Sequence, residues 1–132
     1  MIKFPKDDSR FRWTKHIKNK MVFYHISLAQ IMRIFRSPER VEEGIAERTI
    51  GAMRTRKKGG NKKGEEEIWI MYRANESRVK NYELSEEAKN KGEKRARVIM
   101  ISAWRYPGKT KPGERPEIPM EIIDELTIAG YL

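Results

Sequence analysis

The chain contains no cysteine and only two histidines among its 132 residues. Without thiols it has no disulfide, no thiol nucleophile and no cysteine-based zinc or iron–sulfur site, and it suits a reducing compartment. Long apolar runs are also missing. The best of them, 68–72 and 98–101, fall far short of the ~20 residues that cross a bilayer. The opening residues, MIKFPKDD, lack the apolar stretch of a secretory signal, so the sequence predicts a cytoplasmic protein with no membrane partner. Most catalytic signatures are absent too. There is no G-x-S-x-G elbow, no H-E-x-x-H and no acidic cluster with metal spacing. Gly108, Lys109 and Thr110 resemble the end of a phosphate-binding loop, but position 103 is Ala103 where that loop needs glycine, and prolines follow where a helix should. His16 and His25 fall on roughly opposite sides of one continuous helix and cannot share a metal there. Neither a metal nor a cofactor is expected.

What the chain does have is positive charge. Twenty-nine Lys and Arg against nineteen Asp and Glu give a net charge of +10, and the excess is unevenly placed. Residues 1–63 carry 17 basic and 6 acidic groups, 64–115 carry 12 and 9, and 116–132 carry none and 4. A Lys- and Glu-rich surface made only for solubility would explain the density of charge but not this imbalance. The asymmetry points to a polyanionic partner, nucleic acid first, met by the N-terminal half. With 38% hydrophobic residues and three Trp, five Tyr and four Phe, the chain has enough apolar material to fold as a single domain, 1–132.

Punctuation and periodicity divide that domain. The first eleven residues read as a strand or an extended arm ahead of a helix capped by Thr14, with Ile17, Met21 and Tyr24 on one stripe and His16, Lys20 and Phe23 on the next. Ser27 and Gln30 form a capping box for a second helix, with Ile26 and Ile31 at the staple positions. Leu28, Ile31, Met32 and Phe35 give it an apolar face, Arg33 and Arg36 suit its C-terminus, and Ser37 and Pro38 stop it. Residues 40–46 and 48–56 read as two strands or one bent strand. Residues 66–73 and 97–106, apolar on both faces, read as the central strands. Stretches 57–64 and 74–95 are expected to be flexible loops, and 107–117 a turn-rich linker to a closing helix. In that helix Pro119 suits the first position, Ile122, Ile123 and Leu126 form the apolar face, and Gly130 ends it. The expected fold is α+β: two N-terminal helices on a small twisted antiparallel sheet of about four strands, plus a short C-terminal helix.

The candidate chemistry is metal-free RNA cleavage. It needs a base for the 2′-hydroxyl, cations for the phosphorane and an acid for the leaving oxygen. His16 and Lys20, one helical turn apart, are the best local pair. Arg73, Arg105 and Tyr106, ending the central strands, complete the candidate catalytic set, and Tyr24 is a further candidate. The bland alternatives are a satisfied interface histidine, a solvated lysine and surface ion pairs of the two arginines with Glu42, Glu43 or Glu65, Glu66 and Glu67. Lys15, Lys18, Arg54, Arg56, Lys57, Lys58, Lys62 and Lys63 are the candidate nucleic-acid-binding residues.

Trp13, Thr14, Lys15 and His16, then Lys20 and Met21, Tyr24, Ile26 and Ser27, Ile31, Ile34 and Pro38, together resemble the N-terminal signature of the BrnT-like branch of the RelE toxin superfamily. The strands at 68–73 and 98–104 resemble its later strands. The resemblance implies two helices on one face of a twisted antiparallel sheet. It also implies an endoribonuclease acting on RNA or at the ribosome without a metal, and neutralised by an acidic or DNA-binding antitoxin. Carried over by position, His16, Lys20, Arg73, Arg105 and Tyr106 would serve catalysis. The chain adds the stretch 74–95 and an acidic tail. Two other readings stand beside it: a non-catalytic RNA-binding or protein-interaction module, and an acidic C-terminal helix that either packs into the core or docks over the basic surface and holds the protein idle.

Overall fold

The computed structural model describes residues 4–45, 48–57, 64–74, 98–114 and 117–131. The stretch 75–95 and Lys58, Lys62 and Lys63 lie outside the described residues. The fold is α+β, with strand β1 (Phe11–Trp13), helices α1 (Lys15–Tyr24) and α2 (Leu28–Arg36), strands β2 (Arg40–Glu43), β3 (Thr49–Lys57), β4 (Glu65–Ala74) and β5 (Val98–Pro107), and helix α3 (Met120–Ile128).

Both N-terminal helices begin as their sequences dictate. The Thr14 hydroxyl accepts from the Ile17 amide at 3.1 Å and donates to the Ile101 carbonyl at 2.8 Å, so one side chain caps α1 and ties it to β5. Ser27 and Gln30 close their reciprocal box at the start of α2. At the end of α1, His25 takes the left-handed conformation, φ 54°, and the Ile26 amide returns to the Met21 carbonyl at 2.9 Å, the turn that lets α2 follow at once. In α3 Pro119 sits at the cap position with no side-chain hydrogen bond, one place earlier than its preference for the first helical turn suggests.

The sheet has five strands in the order β1-β5-β4-β3-β2. It is mixed rather than purely antiparallel, because β1 runs parallel to β5 and pairs Phe11, Arg12 and Trp13 with Val98, Ile99 and Met100. Where β1 stops, the chain turns into α1 beside β5, so β1 and α1 together shield that edge; the opposite edge, β2, is short and charged. One apolar cluster lies between the sheet and α1 and α2, built on Ile17, Met21, Ile26, Ile31, Ile34, Ile68, Ile70 and Met100. A second lies on the other face, where α3 inserts Ile122 and Leu126 among Met53, Trp69, Met71, Ile101 and Trp104. The molecule therefore has three layers.

A β-bulge sets up the candidate site. Met71 pairs with Ser102 but Tyr72 pairs with Met100, leaving Ile101 as an extra residue on β5. The extra residue reverses the in–out alternation. Met100 and Ala103 face α1 and α2 while Ile101 and Trp104 face α3, and Ser102 stands on the α3 side of its strand with Met71.

Candidate functional site

His16 and Lys20 both meet Glu125 of α3. The Lys20 ammonium lies 2.8 Å from Oε1 and His16 Nδ1 lies 3.1 Å from Oε2, so one carboxylate is gripped through both of its oxygens. The other ring nitrogen, Nε2, is 2.8 Å from the Ser102 hydroxyl. Lys20 is only 6% exposed and Ser102 not at all. Burial holds the His16 pKa below its usual 6.5, with the Lys20 charge adding to that effect and Glu125 opposing it. A neutral ring donating from Nδ1 to Glu125 and accepting from Ser102 at Nε2 satisfies all three groups. Beside them Tyr24, with its hydroxyl 3.5 Å from Glu121, has its pKa pushed up to about 12, first by burial and then by Glu121. The exposed ring of Phe23 lies under the Lys20 ammonium at 5.0 Å.

Serine, histidine and carboxylate in line have the connectivity of an activated nucleophile. Burial argues against that use, since Ser102 has no exposed surface and the one cavity described lies elsewhere. The trio is a polar tie between α1, β5 and α3.

That cavity, of about 230 Å³, opens between α2 and the sheet and is lined by Gln30, Arg33, Ile34, Arg54, Thr55, Arg56 and Ile68. Arg54 is held in place, donating to the Ser37 carbonyl at 2.6 Å and lying 3.8 Å from Glu39. Glu39 accepts from the Thr55 amide and hydroxyl. The Thr55 backbone bond is the chief reason its pKa is lowered. Arg33 and Arg56 are exposed, and among the described residues neither has a hydrogen-bonded or ion-paired acceptor. Ile34 and Ile68, almost fully buried, form an apolar floor. The result is a cleft with a fixed guanidinium, two available ones and an apolar base.

Of the sequence-predicted catalytic residues, His16 and Lys20 come together, with the further candidate Tyr24 beside them. Arg73 and Arg105 do not: Arg105 pairs with Ile68 on the α1–α2 side, whereas Arg73 pairs with Ile99 on the α3 side. Five residues separate the two registers along β4, roughly 16 Å at ~3.3 Å per residue. In an antiparallel pair, residues at the C-terminal ends of both strands lie at opposite ends of the sheet. Arg105 is instead a clamp, donating to the carbonyls of Tyr24 and His25 and pairing with Glu66. A cation is thus placed at the C-terminus of α1. Tyr106 donates to Glu117 at 2.9 Å, which is the main reason its pKa is raised. Of the candidate nucleic-acid-binding residues, Arg54 and Arg56 line the cleft, Lys15 and Lys57 are exposed and Lys18 is half-buried.

Sequence reasoning did not single out Ser102, Glu125, Gln30 or Arg33 as site residues. A lone hydroxyl in the apolar run of β5 was a usable signal, since a buried hydroxyl needs a partner. Gln30 and Arg33, three apart on α2, share a face. Nothing local marks Glu125, whose partner Lys20 is 105 residues away.

The fold and these features define a small three-layer α+β domain with an arginine cleft between the α1–α2 layer and the sheet and an imidazole–ammonium pair closed by a carboxylate at the sheet edge. No family model, no curated protein and no solved structure matches the chain.

Proposed function

We propose that this protein binds RNA, holding phosphate in the cleft between α2 and β3. The observation that carries the reading is the convergence of Arg33, Arg54 and Arg56 on one cavity above Ile34 and Ile68. Guanidinium forks match phosphate oxygens, and an apolar floor suits the face of a base. The polarised charge, with its basic excess in residues 1–63, adds long-range attraction. In titrations of single-stranded RNA across a salt series, Arg33→Ala and Arg56→Ala should each weaken binding and lower the slope of log affinity against log salt by about one. A double variant that binds as tightly as the wild type would refute the cleft as the site.

A second reading, toxin-like metal-independent RNA cleavage, has one observation in its favour. His16 and Lys20 jointly grip a single anion, as a proton-donating acid and a charge-stabilising cation would beside a scissile phosphate. It requires Glu125 to leave, and an antitoxin of acidic character belongs to this reading alone.

A further inference from the structure

We propose that Lys20 and His16 form a second anion site, that Glu125 is its resident occupant, and that a phosphate of bound RNA competes with Glu125 for it. The inference rests on the RNA reading for its ligand.

Lys20 occupies the buried face of α1 along with Ile17 and Met21. A buried ammonium is costly unless a counter-charge accompanies it. Here that charge comes from Glu125, on a helix remote in sequence, while Ser102 orients the ring of His16 from below. The two donors reach the two oxygens of one carboxylate, an arrangement that also fits the paired non-bridging oxygens of a phosphodiester.

The occupant is open to solvent, with 45% of the Glu125 side chain exposed. Only Ile122 and Leu126 of α3 are buried. Its cap, Pro119, makes no side-chain hydrogen bond, and its last turn has no basic residue. Met120 and Ile128 are 70% and 88% exposed. The segment 116–132 carries four acidic groups and no basic one, so RNA arriving at the basic face repels the helix that covers Lys20. Exchange of one anion for the other keeps the buried ammonium paired throughout.

The test uses the full chain and a short single-stranded RNA. Glu125→Gln, which keeps the side-chain volume, should bind about tenfold tighter than the wild type, the scale of one charge-assisted phosphate contact. The gain should vanish in Glu125→Gln combined with Lys20→Met. Asp124→Asn, which removes an exposed acid from the same helix, should give little gain. An equal gain from Asp124→Asn, or a gain that survives loss of Lys20, would mean that net charge alone is responsible and would overturn the proposal. A second measurement needs no variant: the ring resonances of His16 in the wild type should shift at saturating RNA, and unmoved resonances would overturn it as well. Failure here with Arg33→Ala still weakening RNA binding leaves the cleft standing; loss of the Arg33 effect removes the RNA reading itself.

Discussion

The ring of His16 has a hydroxyl on one nitrogen and a carboxylate on the other, with an ammonium alongside. Burial dominates, so the folded protein resists putting a proton on this ring more than the unfolded chain does. Its contribution to stability is then complete above the unfolded value of about 6.5 and is lost as pH falls through the lower folded value. Between about pH 7.5 and about pH 5 the wild type should lose more urea stability than His16→Gln, which has nothing to protonate. Equal losses would mean that the ring is not held neutral. Ser102 belongs to the same balance, because its hydroxyl donates to Nε2 when the ring is neutral and must turn to accept when the ring is protonated.

Among the elements, Arg105 shows how a cation expected to bind substrate serves the fold. Its guanidinium satisfies the terminal carbonyls of α1 and the carboxylate of Glu66 at once. Arg105→Ala strands all three and should cost about 2–3 kcal/mol in denaturant unfolding. Arg105→Lys should recover only part, lacking the planar fork, and RNA affinity should be kept in both. A cost below about 0.5 kcal/mol would mean that the clamp does not exist.

The helices α1 and α2 and the strands β4 and β5 were legible in the sequence because their signals are local: Thr14, the Ser27–Gln30 box, and apolar residues on both faces. A strand or extended arm was legible over the first eleven residues, but the place of β1 at Phe11–Trp13 and its parallel partner were not, since three residues owe both to pairing with β5. For the candidate site, helical spacing was enough to join His16 with Lys20. Their partner Glu125 could not be read, because it arrives through the tertiary packing of α3. The linker shows the same limit. Composition marks 107–117 as turn-rich, yet Thr110 is bound to Glu67 and Arg40, and Gly113 to Glu42. Those anchors are strand residues whose charges look merely solvated in the sequence.

At the scale of the whole molecule the basic half and the acidic tail meet rather than face apart. The N-terminal half supplies both Arg33 in the cleft and Lys20 at the sheet edge, and the tail covers only the latter. The proposed binding and the toxin-like cleavage are therefore separately testable. The toxin-like reading expects RNA cleavage that resists EDTA, with RNA alone or on ribosomes, that rises in Glu125→Gln and disappears in His16→Ala. Absence of cleavage in every one of these would leave RNA binding as the activity. Trp69 and Trp104, stacked at 6.2 Å beneath α3, provide a built-in fluorescence reporter of whether that helix has moved.

The bulge at Ile101 works as a phase shift in the reading of β5. Upstream of it the strand counts its inward positions on even numbers, Val98 and Met100, and downstream on odd ones, Ala103 and Arg105. Removing that one residue would leave a regular ladder in which Ser102, Ala103 and Trp104 keep Met71, Ile70 and Trp69 as partners, whereas removing Ala103 would send Trp104 and Arg105 to the wrong faces, taking the clamp from α1 and Trp104 from its stacking partner. The bulge is thus the one position of β5 where the strand can lose a residue and keep its phase, and a one-residue deletion beyond it inverts the strand.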